Sequence, residues 1–372
     1  MAGPGQRTRT AEEKVAKTHR AQSVVLADNA SEAAVQQSSS VTVALAGDVM
    51  LGRLVDEAIN HFGPAYPWGD LRPMLAGADL TLVNLECVIA SDGRPWRRTP
   101  KVFHFRADPI AVESLRLAGV DGVVLANNHV LDWEVESLFE MLRLLDERGI
   151  AHAGAGRDLA EAEQPAFLRA QGRRVGLVAF TDNEPGWAAG KHTPGTNFSP
   201  VSLRPTDFVR VQGAIARARA DADLVIFSNH WGPNMRERPP EHFRAFAHAV
   251  LDAGADVYFG HSAHIFQGIE VYRGKPLIYD AGNFVDDYAV DPILRNDRGL
   301  LFLLSIGSGG VEGLELVPVL IDNCQVNRAR GVEFEAIAER IRQLSAEFGT
   351  VVAVSGDCLK VDLRAPTRRA AA

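Results

Sequence analysis

The sequence has little of several features that would each indicate a particular class of protein. Its three cysteines are widely spaced and form no CxxC pair, so neither a disulfide framework nor a thiolate zinc site is expected. No run approaches the roughly 20 apolar residues of a membrane-spanning helix. No basic stripe with interleaved aromatic residues is present, so we expect no nucleic-acid partner. No repeat with a period of roughly 20–50 residues is visible, which argues against a solenoid or propeller.

What is present is the composition of a folded, acidic protein. With 46% hydrophobic residues among 372, the chain can bury a large core, and its formal net charge of −8 makes a polyanion a poor partner. Residues 1–40 are polar, rich in Ala, Ser and Gln, and lack the apolar core of a secretion signal, so we expect a tail or arm there. Together with the unpaired cysteines, this predicts a cytoplasmic protein without a membrane partner.

Seven short apolar runs each end in a residue that can bind a metal ion or move a proton. Such runs, bounded by polar residues or glycine, predict buried strands. The residues that end them are Asp48, Glu86, His129, Asp182, His230, His264 and Asn283. In sheets with helices between the strands, functional residues collect at the carboxyl ends. Because Asp, Glu, Asn and His suit both a Zn, Mn or Fe site and acid–base chemistry, the pattern predicts one site assembled from distant parts of the chain.

From Val41 to about Asp322, the strand-like runs alternate with amphipathic helical stretches, which favours a layered α/β fold. In one such stretch the apolar residues fall on one face at helical spacing: Phe243, Phe246, Ala247, Val250 and Leu251. After Asn283 the pattern changes to antiparallel strands with glycine turns. We therefore expect a main domain at 41–330, followed by a helix, a strand and a tail at 331–372.

Two candidate carboxylates also have ordinary structural explanations. Asp48 begins the sequence GDVMLGR, where it could bind a metal ion beside small residues or cap the next helix. Glu86 closes an apolar stretch, and a buried Glu needs a partner, which favours a ligand or ion-pair role.

The candidate histidines are ambiguous when taken one at a time. His129 follows two asparagines in ANNHVLD, and such residues also form turns. His230 alone would be typical of a structural histidine, and it gains weight only from the other candidates. His261 and His264 lie three residues apart in GHSAH, which suits two ligands, or one ligand and one acid–base group.

Five further residues are candidates for substrate binding. Arg53, Lys101 and Arg236 could bind an anionic group near the strand ends, although most Arg and Lys side chains are solvated surface charges. Trp187 and Trp231 lie beside glycines and could line a pocket for an apolar or aromatic group. Core packing is the alternative explanation for each tryptophan.

Taken in order, the motifs GDVMLGR, NLE, PKVFHF, ANNHVLD, NHWGPNMRERP, GHSAHIFQGIEVYRGKPLIYDAGNF and DDYAVDP resemble the CapA-type branch of the calcineurin-like metallophosphatase superfamily. This branch is related to poly-γ-glutamate synthesis. The resemblance implies a calcineurin-like four-layer αββα sandwich with a metal site at the carboxyl ends of strands. The ligands of a divalent ion such as Mn, Zn, Fe, Co or Ca would then be Asp48, Glu86, Asn128, His230 and His261. His129 and His264 remain as acid–base or ligand candidates.

The departures from the superfamily pattern matter for function. Met50 stands where the motif GDxH has a histidine, Glu86 of NLE replaces the GDxxD aspartate, and the motif GNHD is found here as NNHV. A thioether is a poor ligand for a hard or borderline metal ion. These departures argue against a full dinuclear phosphatase centre.

The whole-chain pattern is also similar to that of the lasso-peptide epimerases, CapA-like proteins that invert the α-carbon of a C-terminal Trp in a ribosomal precursor peptide. Our first hypothesis is therefore a metal-dependent isomerase of a precursor peptide, in which His129 and His264 are the base and acid. The alternatives are a metal-dependent hydrolase (a phosphoesterase or γ-glutamyl peptidase), a CapA-type poly-γ-glutamate-related protein, and a non-catalytic binding module. Whether the chain forms a homo-oligomer is left open.

Overall fold

The computed structural model of the protein describes Met1 and residues 40–364, so the expected N-terminal tail or arm lies outside the described residues. The helices are α1 (Arg53–Phe62), α2 (Arg72–Gly77), α3 (Ile110–Leu117), α4 (Glu134–Glu147), α5 (Leu159–Ala162), α6 (Pro205–Asp221), α7 (Glu241–Asp252) and α8 (Val332–Ala346). Short 3-10 helices span Tyr66–Leu71 and Pro185–Trp187.

The strands are numbered in chain order. They are β1 (Val41–Val49), β2 (Leu80–Leu85), β3 (Val88–Ile89), β4 (Arg106–Ala107), β5 (Gly122–Val124), β6 (Ala151–Ala153), β7 (Ala155–Gly156), β8 (Ala166–Ala170), β9 (Arg173–Thr181), β10 (Gly195–Thr196), β11 (Leu224–His230), β12 (Val257–His261), β13 (Ile269–Tyr272), β14 (Lys275–Ile278), β15 (Asn283–Val285), β16 (Arg298–Gly307), β17 (Gly310–Asp322), β18 (Gln325–Arg328), β19 (Val352–Ser355) and β20 (Cys358–Val361).

Two large sheets contain most of these strands. The first sheet has ten strands in the order β19-β20-β17-β16-β1-β2-β5-β6, with β15 beside β1 and β18 beside β17. The second sheet has six strands in the order β13-β14-β12-β11-β9-β8. The C-terminal strands β19 and β20 continue the first sheet, because β20 pairs with β17.

The sheets pack face to face with helices on their outer sides. Strand β1 is buried on both faces, which explains its nearly continuous apolar sequence. Its residues Val43 and Leu45 join the core between the sheets, whereas Ala44 and Ala46 join the core beneath α1 to α4. On the other side, α6 and α7 cover the second sheet. The predicted calcineurin-like four-layer αββα sandwich is thereby confirmed.

The predicted apolar face of α7 is confirmed, because its five residues are those that the helix buries: Phe243, Phe246, Ala247, Val250 and Leu251. Within residues 40–364, no helix combines the length and the hydrophobicity needed to cross a membrane.

The strand register brings the polar ends of the predicted runs together. Asp48 of β1 lies opposite Asn84 of β2 and Asn283 of β15. In the second sheet, His230 of β11 lies opposite His261 of β12. Parallel pairing of β1 with β2 and of β11 with β12 places their carboxyl ends at one edge of each sheet.

Some predicted runs end earlier than the sequence pattern suggested. Strand β5 stops at Val124, so Asn128 and His129 lie in the loop that follows it. Strand β12 stops at His261, and His264 lies in the next loop with a left-handed φ of 61°. These loops carry the side chains beyond the sheet edge instead of within its plane.

Candidate metal centre

Four of the five predicted metal ligands, Asp48, Glu86, His230 and His261, meet at the carboxyl ends of their strands, and Asn128 lines the cavity beside them. Asp48 lies near the end of β1, Glu86 directly follows β2, and Asn128 lies beyond β5. His230 and His261 are the last residues of β11 and β12. Four of the five residues are buried, and Asn128 is half-buried.

Two groups of donor atoms share Asp48. In one group, ligand atoms of Asp48, His230 and His261 lie within 4.8 Å of one another. In the other, the same holds for Asp48, Glu86 and His264. The Nδ1 atom of His264 is 3.2 Å from Asp48 Oδ2 and 3.9 Å from Glu86 Oε2. His264, which the sequence left between acid–base and ligand roles, therefore borders the cluster directly.

The hydrogen-bonding state of the cluster fits a bound cation. Several buried oxygen and nitrogen atoms have no hydrogen-bond partner: Asp48 Oδ2, both carboxylate oxygens of Glu86, Asn128 Oδ1 and His230 Nε2. Leaving a buried polar atom unpaired costs about 1–3 kcal/mol, so such a concentration needs an explanation. These atoms are the oxygen and imidazole donors that divalent ions accept. The donor set therefore fits a divalent ion, and it does not select which one.

The electrostatics of the cluster also favour a cation. Burial and the charge of Asp48 raise the pKa of Glu86 well above its ordinary value. Burial alone would raise the pKa of Asp48, but the neighbouring His264 lowers it overall. Burial opposes the charged form of His264, yet Glu86 and Asp48 raise its pKa to about 10. Two buried carboxylates thus compete for one neighbouring positive charge.

Met50 takes no part in this cluster. Its side chain is buried in the apolar core beneath the helices, and its sulfur accepts a hydrogen bond from the backbone N–H of Gly52 at 3.1 Å. The position that carries a histidine in the motif GDxH is therefore a packing position in this chain.

Three buried asparagines orient the cluster, and the sequence analysis did not give them that role. Asn84 Nδ2 donates to Asp48 Oδ1 at 2.8 Å, and Asn127 Nδ2 donates to Asn84 Oδ1 at 3.0 Å. Asn283 Oδ1 lies 2.9 Å from His264 Nδ1. The sequence carried only a weak signal of this orienting role, because Asn84 lies within the motif NLE and Asn283 ends an apolar run.

His129 forms a close pair with Asp132. Its Nδ1 lies 2.6 Å from Asp132 Oδ2, and its Nε2 lies 3.9 Å from Glu86 Oε1. The imidazole stacks on Phe105 with 4.1 Å between ring centroids. Burial lowers the pKa of His129 well below its ordinary value and raises the pKa of Asp132 to about 7. The sequence analysis missed this role of Asp132, although its spacing of three residues after His129 was visible.

Lys101 contacts Asp132 of the His129–Asp132 pair. Its Nζ donates to the backbone oxygen of Asn128 at 2.6 Å and lies 3.4 Å from both Asp132 Oδ1 and Glu184 Oε1. The side chain is only 6% exposed and lies 4.8 Å from the ring centroid of Trp187. Two of the three N–H donors of this ammonium have protein acceptors, Asn128 O and Glu184 Oε1, and Asp132 Oδ1 lies within ion-pair distance. Lys101 is therefore positioned to hold the His129 loop, and it also lines the cavity described next.

A cavity of about 540 Å³ opens beside the cluster. Its lining residues are Arg53, Pro100, Lys101, Val102, Phe103, Phe105, Asn128, His129, Glu184, Asn234, His264, Tyr288 and Ala289. The guanidinium of Arg53 lies 5.4 Å from the Phe105 ring centroid and 5.9 Å from that of Tyr288. A larger surface depression, of about 820 Å³, is lined by Arg94, Arg97 and Arg98 and contains none of the predicted site residues. The smaller cavity is therefore the candidate substrate pocket.

The structure does not bring the remaining substrate-binding candidates into this pocket's lining. Trp187 is buried beneath Lys101 and packs edge-on against Trp96. Trp231 belongs to the core outside the second sheet, where its Nε1 donates to the backbone oxygen of Tyr279. The Arg236 side chain is exposed to solvent and is not among the residues that line the pocket. Core packing explains both tryptophans, and surface solvation explains Arg236.

Comparison with known proteins agrees with this geometry. Residues 42–288 match the family described as "Bacterial capsule synthesis protein PGA_cap". A "Probable polyglutamine synthesis accessory protein" of Mycobacterium tuberculosis is 32% identical, over 86% of this chain and 95% of that protein. The "Capsule biosynthesis protein CapA" of Bacillus anthracis is 29% identical, over 77% and 69% of the two chains. The "PGA biosynthesis protein CapA" of Bacillus subtilis is 28% identical, over 75% and 71%. The chain therefore belongs to the bacterial capsule synthesis protein family, the CapA-type branch that its motifs predicted.

Proposed function

We propose that the protein is a metal-dependent peptide epimerase, which inverts the α-carbon of a C-terminal aromatic residue in a precursor peptide of the lasso type. One observation carries this proposal: two imidazoles flank the same carboxylate. His129 Nε2 lies 3.9 Å from Glu86 Oε1, and His264 Nδ1 lies 3.9 Å from Glu86 Oε2. Inversion by proton transfer needs a base at one face of the α-carbon and an acid at the other. Two oriented imidazoles beside one cluster meet that need.

Each imidazole has one nitrogen held by the protein and one available to a substrate. Asp132 holds Nδ1 of His129, and Asn283 holds Nδ1 of His264. Among the described residues, neither Nε2 atom has a hydrogen-bond partner, and both residues line the pocket. We assign proton removal and proton return to these two Nε2 atoms.

An α-proton in a peptide is too weakly acidic for a neutral side chain to remove unaided. A divalent cation held by Asp48, Glu86, Asn128, His230 and His261 would supply electrostatic stabilisation of the developing negative charge. The protein strengthens this stabilisation by burying the cluster, because charge–charge interactions are stronger away from water.

The composition of the pocket supports an aromatic C-terminal residue as substrate. Phe103, Phe105 and Tyr288 provide apolar and aromatic surface. Arg53 adjoins the same rings and carries a charge that could pair with a terminal carboxylate. The names of the relatives refer to polyglutamine and capsule synthesis, which supports instead the alternative of a CapA-type poly-γ-glutamate-related protein.

A metal-dependent hydrolase is the second candidate, and the His129–Asp132 pair favours it. One imidazole held by a carboxylate beside a metal cluster could protonate the leaving group of a phosphoester or γ-glutamyl bond. This reaction would not need His264 as an acid. The two candidates therefore differ in whether bond cleavage occurs and in whether His264 is required.

The deciding experiment is mass spectrometry in deuterated water with protein loaded with Mn, Zn or Co. The substrates are precursor peptides that end in Trp or Phe. We expect uptake of one deuteron at the α-carbon without cleavage, abolished by a chelator, and inversion of that carbon, abolished by His264→Ala. The matched control is His242→Ala, which removes an exposed histidine on α7. Cleavage or phosphate release in place of deuterium uptake would establish the hydrolase, and a His264→Ala protein that still inverts the α-carbon at the wild-type rate would contradict the two-imidazole mechanism.

A further inference from the structure

The hydroxyl group of Tyr288 is buried and has no hydrogen-bond partner among the described residues. Buried tyrosine hydroxyls ordinarily find a partner, because an unpaired one lowers the stability of the fold. Tyr288 lines the candidate substrate pocket together with His129 and His264. An unpaired donor on a residue that lines the pocket is a candidate to bind a ligand group there.

The ring of Tyr288 is held in place by its surroundings. Its backbone N–H donates to Asp286 Oδ1 at 2.8 Å. The ring packs edge-on against His264, with 5.3 Å between centroids, and it is tilted by 31° against Phe105, with 5.7 Å between centroids. The guanidinium of Arg53 lies 5.9 Å from the ring centroid. Because the hydroxyl oxygen lies on the axis of a rigid ring, a ring fixed in this way also fixes the position of that oxygen.

We infer that the Tyr288 hydroxyl donates a hydrogen bond to the substrate oxygen that becomes negatively charged when the α-proton is removed. It would then be a further catalytic residue, and this role rests on the proposed function. A donor placed in advance at such an oxygen stabilises the transition state more than the bound substrate. The Tyr288 proton stays on its own oxygen throughout, so no bond to Tyr288 forms or breaks. The α-proton itself moves through His129 and His264.

The test is the Tyr288→Phe variant of the full-length, metal-loaded protein. This change keeps the ring that packs against His264 and Phe105 and removes only the hydroxyl. We expect kcat for deuterium uptake to fall by roughly 100-fold to 1,000-fold, with KM changed by less than about threefold. We expect the melting temperature of the metal-free variant to equal or exceed that of the wild type, because an unpaired buried group has been removed.

The matched control is Tyr66→Phe. The hydroxyl of Tyr66 donates to the backbone oxygen of Asn323 at an exposed position, and Tyr66 is not among the residues that line the candidate substrate pocket. We expect this variant to keep wild-type kcat and KM. A change in both variants would show that the loss of any tyrosine hydroxyl disturbs the fold.

The two readouts separate this inference from the proposed function. An unchanged kcat in Tyr288→Phe, with an active wild type, would overturn the inference alone. A lower melting temperature would also overturn it, whichever reaction the protein performs, because the hydroxyl would then be bonded within the protein. If the wild type cleaves its substrate instead of exchanging the α-proton, the proposed function fails. The same kcat comparison on cleavage then decides whether Tyr288 donates to the reacting oxygen.

Discussion

His230 and His261 lie opposite each other on the parallel strands β11 and β12, with their Nδ1 atoms 2.9 Å apart. At this distance both nitrogens cannot carry a proton, so at most one of them is a donor. Burial lowers the pKa of His230 well below its ordinary value and lowers that of His261 to about 3. Both imidazoles are therefore uncharged at neutral pH, which is the state in which imidazole binds a metal ion.

The first prediction concerns metal content. Asp48 belongs to both groups of donor atoms, so Asp48→Asn should remove most of the bound metal, whereas the wild type should carry it after dialysis. Elemental analysis of the purified proteins measures this directly. Asp182→Asn is the matched control, because Asp182 also ends an apolar run but its carboxylate accepts from the Gly232 N–H outside the two groups. Equal metal content in all three proteins would contradict the assigned cluster.

Metal binding should also stabilise the wild type. A ligand that binds only the folded state at 100 times its Kd adds about 2.7 kcal/mol to the free energy of unfolding. We expect a rise in melting temperature of the wild type on adding the metal ion that elemental analysis identifies, and little or no rise for Asp48→Asn.

The second prediction concerns the His129–Asp132 pair. Asp132→Asn keeps the size of the side chain but removes the carboxylate that holds His129 Nδ1. We expect the turnover rate to fall by roughly 100-fold to 10,000-fold, with metal content unchanged, because a general base loses its orientation and charge partner. Initial rates and elemental analysis of the same preparation check both parts. Loss of metal in this variant would mean that Asp132 supports the cluster itself.

The third prediction concerns Lys101. Its ammonium lies between two carboxylates, Asp132 and Glu184, and is nearly fully buried. Lys101→Met should lower the free energy of unfolding by about 1–3 kcal/mol, because the part-buried backbone oxygen of Asn128 and the Glu184 carboxylate lose their hydrogen-bond donor. Urea unfolding measures the loss. The double variant Lys101→Met with Glu184→Gln should recover part of it, since the two sites are in contact, and strict additivity would contradict the ion pair.

The sequence predicted the layered fold well because burial on both faces leaves a readable signature. The apolar run of β1 and the helical spacing of Phe243 and Phe246 both follow from which sides of an element meet a core. The same logic led to Asp48 and Glu86, because polar residues that follow buried strands must lie at a sheet edge.

The sequence could not show how loop residues pair in space. Lys101 precedes Asp132 by 31 residues, and only the folded loop brings its ammonium within 3.4 Å of that carboxylate. Trp231 directly follows the candidate ligand His230. Its side chain nevertheless packs in the core outside the second sheet, because successive side chains along a strand point to opposite faces. Spacing along the chain predicts the order of the strand ends, but it does not predict which face of the sheet the residue after a strand end packs against.

The fourth prediction concerns acid stability at a site remote from the metal cluster. Burial alone would raise the pKa of Glu270, but hydrogen bonds with His248 and Tyr279 lower it below its ordinary value of 4.5. A carboxyl group with a lowered pKa in the folded state contributes stability above the pKa of the unfolded chain and loses it as the pH falls. The free energy of unfolding of the wild type should therefore decrease more steeply below about pH 4.5 than that of Glu270→Gln. Parallel curves for the two proteins would contradict the depressed pKa.

The fifth prediction concerns the terminal carboxylate of the proposed substrate. Arg53 lies beside Phe105 and Tyr288 at the pocket and also pairs with Asp287 at 3.0 Å. Because its planar guanidinium carries five N–H donors, it can keep that ion pair and still bind a second carboxylate. Arg53→Gln should raise KM for peptides with a free C-terminus by roughly 10-fold to 100-fold. The matched substrate is the same peptide with a C-terminal amide, for which the wild type and the variant should have similar KM values. A KM increase of equal size for both peptides would show that Arg53 shapes the pocket through Asp287 and the neighbouring rings, and that the carboxylate is bound elsewhere.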